Sequence, residues 1–207
     1  MFDTRTVVIL IFDDVEILDF CGPYEVFSVA SSRRDPAPFQ VCTVADKVGP
    51  VIARNGLSVN PDYALENCPA PDLLVVPGGQ GTRPLLKDKV LLDWIREQDS
   101  RCELTLSVCT GSLLLAQAGL LEGLRATTHW GSLDLLAALA PSTQVLDDAR
   151  YVDNGRIITS AGIAAGIDMS LHVVARLLGS EHAAQTARHM EYDYWPQGRM
   201  NQPGDSQ

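Results

Sequence analysis

Thr6-Val-Val-Ile-Leu-Ile-Phe12 is a continuous apolar run rich in β-branched residues, the pattern of a strand buried on both faces of a parallel sheet. Comparable runs follow at Phe39 to Val44, Asp72 to Pro77, Leu104 to Val108 and Arg156 to Ser160. Between them, apolar positions recur at a spacing near 3.6 residues, which predicts helices over Tyr24 to Ser31, Val90 to Gln98, Gly111 to Ala118, Ser132 to Leu139 and Ala165 to Leu178. Alternating strands and helices imply an α/β fold, a mostly parallel sheet with helices on both faces. The stretch from Val48 to Val59 breaks that rhythm. Its Gly-Pro and Asn-Gly pairs punctuate short β-type pieces and predict a β-hairpin. No repeat or linker divides the chain, so a single domain is expected over residues 1–196. The polar tail, 197–207, reads as disordered.

Composition narrows this picture. At 207 residues with 46% of positions apolar, the chain can bury one substantial core and has no room for a second full domain. A formal net charge of -10 makes a broad phosphate-binding face improbable, so no nucleic-acid partner is expected. Cys21, Cys42, Cys68, Cys102 and Cys109 are odd in number and contain no CxxC pair, which suits reduced thiols in the cytoplasm. The first residues carry no signal-peptide pattern, and no apolar run approaches the roughly 20 residues needed to span a bilayer. Neither secretion nor a membrane partner is therefore expected.

Ligands of open parallel sheets bind beyond the carboxyl ends of the strands, and three segments converge there. In Val108-Cys109-Thr110-Gly111-Ser112 an apolar strand stops at a cysteine and small residues open a helix, the cysteine counterpart of a nucleophile elbow. A thiol at a helix N-terminus lies among unpaired N–H groups that favour the thiolate. The bland alternative is a small buried residue, the usual fate of a free cysteine. The elbow pattern around Cys109 favours the nucleophile. Pro77-Gly78-Gly79-Gln80-Gly81 is a glycine-rich loop directly after a strand, whose N–H groups would face an anionic intermediate or simply form a turn. It lacks the Gly-Lys-Ser/Thr ending of a phosphate-binding loop. Asp19, between apolar residues, either caps a helix entered near Pro23 or faces a cleft, and spacing alone favours the cap.

Together these segments resemble the ThiJ/PfpI superfamily of glutamine-amidotransferase-like proteins, whose fold is flavodoxin-like. The resemblance runs from about Thr6 to Pro196, and its longest stretch is Ser107 to Trp130. With Leu18-Asp19, Pro77-Gly78-Gly79 and Ser160 to Asp168, it is similar to bacterial isocyanide (isonitrile) hydratases and to the amidase-like domain of AraC-type regulators. The resemblance reverses the reading of Asp19, because the family sets an acidic residue from this segment against the elbow cysteine. It implies that Cys109 attacks the terminal carbon of an isocyanide, that Asp19 serves as acid and base, and that water releases an N-substituted formamide. Thr110 and the Gly78-Gly79 backbone would position substrate, with Trp130 and Ile163 as pocket walls. His129 either approaches the cleft or is simply packed beside Trp130. Gly162 and Gly166 would let the following helix approach closely, with Asp168 as a structural hydrogen-bonding residue.

Departures from the family pattern also inform. Peptidase-like members place a histidine after the nucleophile where this chain has Thr110, and His172, His182 and His189 lack the His-x-Glu spacing of amidotransferases. Proteolysis and glutamine hydrolysis are therefore disfavoured. The expectation is a lyase acting on a small molecule, without metal or organic cofactor, as a homodimer like its relatives. A ligand-sensing domain of the AraC type is the alternative, as is another cysteine-dependent activity such as cofactor-independent glyoxalase. The regulators append helix-turn-helix units, and none follows Gln207, so DNA binding is not expected.

Overall fold

A computed structural model describes residues 4–32, 35–46 and 49–194. The polar tail therefore lies outside the described residues. Through the first half the elements run β1 (Arg5–Leu10), α1 (Ile17–Ser31), β2 (Phe39–Ala45), β3 (Val51–Ile52), β4 (Ser58–Val59), β5 (Tyr63–Ala64), β6 (Leu73–Val76), α2 (Thr82–Leu85) and α3 (Lys89–Asp99). The second half continues with β7 (Leu104–Ser107), α4 (Gly111–Gln117), β8 (Arg125–Ala126), α5 (Leu133–Leu139), β9 (Gln144–Val145), β10 (Tyr151–Asp153), β11 (Ile157–Ser160), α6 (Ala165–Leu178) and α7 (Ser180–His189).

Seven strands form one sheet in the order β10-β11-β7-β6-β1-β2-β5, parallel except for β10 at one edge. The central strands are buried along their length, as their predominantly apolar runs require, with Thr105 and Ser107 of β7 buried among them. Helices α1, α6 and α7 pack on one another in one layer, and α2, α3 and α5 gather around α4 in another. The chain passes from β1 outward to β2, then returns across β1 to β6. That reversal leaves a crevice at the carboxyl ends of β1, β6 and β7, where the three candidate segments emerge. The expected hairpin is present: β3 and β4 pair antiparallel around Asn55, at φ 64°. Its backbone is tied to the loop after β1, Asp14 N–H to Ile52 O at 2.8 Å and Arg54 N–H to Val15 O at 2.9 Å.

One boundary differs from expectation. Helix α1 begins at Ile17, not near Tyr24, and carries Pro23 in its interior. A proline there forgoes one backbone hydrogen bond, but Phe20, Gly22, Val26, Phe27 and Ala30 are all buried, and that burial outweighs the loss. Gly22 lets the helix lie close to α6, since a Cβ there would meet Ile167 at 3.1 Å. Among the described residues no helix is long and apolar enough to cross a membrane.

Candidate active site

β7 ends at Ser107 and α4 starts at Gly111, so three residues must turn the chain from strand to helix. Cys109 absorbs the turn at φ 55°, a left-handed conformation that costs a non-glycine residue of order 1 kcal/mol or more. The surroundings hold it there. Its N–H is shared between Ser160 O at 3.2 Å and Ala161 O at 3.3 Å, and its carbonyl accepts from Ser112 Oγ at 3.1 Å and Thr128 Oγ1 at 2.9 Å. The thiol of a nearly buried residue is thereby presented at the crevice.

Asp19 meets it from below. It lies in the first turn of α1, fully buried, and does not cap a helix near Pro23. Its Oδ2 accepts the Gly78 N–H at 3.0 Å, whereas the buried Oδ1 has no hydrogen-bond partner of ordinary geometry. Burial pushes the carboxyl up to about 7, against the opposing pull of the Gly78 N–H and the Cys109 thiol. Burial also raises the Cys109 thiol, and the negative charge of Asp19 raises it further. The Thr110 N–H and hydroxyl pull the thiol the other way without prevailing. Position at a helix start therefore does not by itself produce a thiolate. Two buried acids in contact cannot both ionise near neutrality, so the pair keeps at least one proton there.

The glycine-rich loop supports this pair with the N–H groups of Gly78 and Gly79, which are therefore not free. Gly78 N–H goes to Asp19, and Gly79 N–H goes to the Thr110 hydroxyl at 2.9 Å. An anionic intermediate would have to compete for both, because the carboxyl and hydroxyl lie directly beneath the loop. Close approach explains the residue types: a Cβ on Gly78 would meet Thr110 N at 2.5 Å and Asp19 Oδ2 at 2.8 Å. Gly79 is at φ 129° and pairs with Val15.

Above the pair is a cleft of about 440 Å³. Cys109, Thr110, Gly79, His129, Trp130 and Ile163 line it, while Asp19 and Gly78 lie beneath its floor. Trp130 is 77% exposed and forms a rim, not a packed wall. The His129 ring packs on Gly162 and beside Trp130, and its Nδ1 accepts the Gly131 N–H at 3.2 Å. Gly166 brings α6 against Val108, where a Cβ would meet the valine side chain at 2.8 Å. Asp168, fully buried on that helix, pairs with Arg150 and accepts the Tyr192 hydroxyl at 3.0 Å. Among the described residues no group of three or more His, Cys, Asp or Glu is arranged to hold a metal ion.

Besides Gly131, five lining residues were not among the sequence candidates: Glu16, Arg54, Gln80, Arg83 and Ser132. Glu16 and Arg54 approach to 3.5 Å. Arg83 donates from Nη1 to Thr82 Oγ1 at 2.9 Å and from Nη2 to Ser132 Oγ at 3.0 Å. All five are polar residues in loops or at helix starts, where no periodicity marks them.

This arrangement has close relatives. Residues 5–176 match the model of the DJ-1/PfpI family. An isonitrile hydratase of Pseudomonas putida is 42% identical over 183 residues, covering 88% of this chain and 76% of that protein. The HTH-type transcriptional regulator CdhR of Pseudomonas aeruginosa is 41% identical over 140 residues, 67% of this chain but only 41% of the regulator. The solved structure of a ThiJ/PfpI family protein from Pseudomonas syringae superposes with a TM-score of 0.84 at 30% identity, covering 99% of this chain and 79% of that one. The elbow cysteine, the parallel sheet that positions it and the length of the sequence match have one explanation: this chain belongs to the DJ-1/PfpI family.

Proposed function

We propose that the protein hydrates an isocyanide to an N-substituted formamide, with Cys109 as nucleophile and Asp19 as proton carrier. The observation that carries this reading is the buried Asp19, with one oxygen unpartnered and its carboxyl pushed up to about 7, in contact with the Cys109 thiol. The similarity to an isonitrile hydratase over most of both chains supports it. A carboxyl near neutrality can give and recover a proton within one turnover, the property that acid-base catalysis at ordinary pH demands.

In the first step the thiol proton passes to Asp19, sulfur bonds to the terminal carbon of R–N≡C, and Asp19 returns the proton to that carbon. The product is a thioimidate, R–N=CH–S–Cys109. Water then adds to the same carbon, Asp19 takes one of its protons, the nitrogen gains the other, and the C–S bond breaks. Asp19 reprotonates sulfur, and R–NH–CHO leaves. Thr110 supports the sulfur through its N–H and hydroxyl, Gly78 and Gly79 hold Asp19 and Thr110 in place, and Ile163, His129 and Trp130 bound the substrate. The setting is a cytoplasmic homodimer, and light scattering that gave a monomer mass at working concentrations would remove the dimer from the reading.

Mass spectrometry is the direct test. Wild-type protein given a simple alkyl isocyanide should form the matching formamide, and Cys109→Ala should form none. Absence of formamide from a folded wild-type protein across several isocyanides would end this reading. The similarity to CdhR favours a second one, a ligand-binding domain of a regulator, for which saturable binding without turnover is the expected result.

A further inference from the structure

Two arginines reach the cleft, and they differ in how their charge is met. Arg54 has a carboxylate opposite it, Glu16 at 3.5 Å. Arg83 has none: its partners among the described residues are the hydroxyls of Thr82 and Ser132. A hydroxyl accepts a hydrogen bond but cancels no charge, and a guanidinium has further N–H donors beyond the two used here. The placement is fixed from both sides. Arg83 sits in the short α2, and its Nη2 crosses to Ser132, the residue immediately before α5, so the two bonds brace it across the cleft.

Its distance from the chemistry is short. Arg83 Nη1 bonds Thr82 Oγ1 at 2.9 Å, and Thr82 Oγ1 bonds Thr110 Oγ1 at 3.3 Å. The cation is therefore two hydrogen bonds from the residue beside the nucleophile. Glu16 and Arg54 offset each other, whereas no carboxylate among the described residues pairs with Arg83. This occurs on a chain whose formal net charge is -10. A braced guanidinium with no carboxylate partner of its own suits recognition of a carboxylate, because its fork matches the two oxygens.

From this we infer that Arg83 is a specificity-determining residue and that the preferred substrate is a small isocyanide bearing a carboxylate a few bonds from its isocyano group. The isocyano carbon meets Cys109 while the carboxylate engages the free N–H groups of Arg83. A neutral isocyanide occupies the same cleft without that second anchor. The inference rests on the hydratase reading for the reacting end of the substrate. The anionic end rests on Arg83 alone.

The test compares isocyanoacetate with its methyl ester, which differ in charge and little else. For wild type, kcat/KM should favour the acid by roughly 10- to 100-fold, the range of a hydrogen bond to a charged group. Arg83→Gln should bring the acid-to-ester ratio near one, and Arg83→Lys should keep part of the preference. The ratio is read within each variant, so a general loss of activity or a weakened α2 does not mimic the effect. In parallel, calorimetry measures binding of N-formylglycine and of its methyl ester, neither of which needs to react. The acid should bind wild type more tightly, and Arg83→Gln should erase the difference. If neither isocyanide is turned over but N-formylglycine binding still depends on Arg83, the anion site stands and the hydratase reading falls. Equal acid-to-ester ratios in wild type and Arg83→Gln overturn the inference and leave hydration untouched.

Discussion

Two aspartates of this protein, Asp19 and Asp168, are fully buried, and they are treated in opposite ways. Asp168, on α6, is met by the Arg150 guanidinium and the Tyr192 hydroxyl, a charge partner and a donor. Asp19, on α1, receives a single backbone N–H and faces a thiol that is itself an acid. The first arrangement occupies the carboxyl with a cation and a donor and fixes it in place. The second leaves a carboxyl that neither state satisfies, so its proton can move at small cost. Burial alone thus does not mark a reactive residue. What marks it is burial without a compensating partner, next to a group able to exchange the proton.

Substitution by asparagine should separate the two most sharply in turnover. Asp19→Asn keeps the shape and removes the proton carrier, so turnover of an isocyanide should fall by roughly 10²- to 10⁴-fold. Asp19→Glu should be impaired less, since it keeps the acid and displaces it by one methylene. Asp168→Asn, compared below its melting temperature, should lose less than about tenfold, because it acts only through the packing of α6. Steady-state kinetics of the three variants checks this, and near-wild-type turnover in a folded Asp19→Asn protein would remove Asp19 from the chemistry.

In stability the order should invert. Asp168→Asn strands a half-buried Arg150 against a neutral amide and should destabilise by about 3 kcal/mol or more, as when one partner of a buried ion pair is lost. Asp19→Asn should cost little at neutral pH, because it replaces a group that folding holds in an unfavourable site. Denaturant melts at pH 7 decide between these outcomes.

The pH dependence sharpens the contrast. Folded Asp19 keeps its proton up to about 7, whereas in the unfolded chain it releases it near the ordinary carboxylate value. The folded state therefore binds the extra proton between those limits. The stability that proton brings is complete at the acid end, is lost as pH rises from about 4 to about 7, and is constant above. Relative to Asp19→Asn, which does not titrate, wild type should lose up to about 4 kcal/mol across that window. Catalysis by the singly protonated pair should in turn rise with pH through about 7. A stability difference that stayed flat from pH 4 to 8 would mean Asp19 is charged throughout, like a carboxylate with a full set of donors.

The contrast between the aspartates was only half legible beforehand, for physical reasons. The strands β1, β2, β6, β7 and β11 could be read because burial on both faces favours short runs of mostly apolar, β-branched or small residues, and the elbow could be read because it joins such a run to a helix opened by small residues. The hairpin over 51–59 announced itself through Asn55 and Gly56. The start of α1 did not, since Gly22 and Pro23 are poor helix residues that only packing against α6 and the sheet makes tolerable. For the same reason spacing favoured a cap for Asp19, and the family resemblance was needed to turn it toward Cys109. Asp168 could be expected to be structural, but its partners Arg150 and Tyr192 lie on segments 18 and 24 residues away that no local pattern connects to it. Helix α7 hides its buried face in small residues, Ala183, Thr186 and Ala187, amid a polar sequence, and the cleft residues Arg54 and Arg83 sit in segments too short to show periodicity.

The smallest expected effect is on the reactivity of Cys109 toward a probe that needs no proton carrier. Iodoacetamide attacks the thiolate, so its rate reports the thiolate fraction and access. Burial pushes Cys42 up to about 12 and Cys68 up to about 11, and it raises Cys21 and Cys102 as well. Cys109 is raised too, but it lines the cleft and has a neighbour able to take its proton. Cys109 should therefore be labelled first when native protein is treated briefly near neutral pH. In Asp19→Asn two effects oppose each other: the thiolate no longer faces a negative charge, and the thiol no longer has an acceptor for its proton. Their partial cancellation should keep the labelling rate within about tenfold of wild type even where turnover has collapsed, and Asp168→Asn should leave it nearly unchanged. Peptide mapping against time gives the rates. Labelling of the half-exposed Cys21 or Cys68 ahead of Cys109 would show that burial wins at the elbow, and with it the distinction between a buried acid that is neutralised and one that shares its proton would lose its chemical meaning.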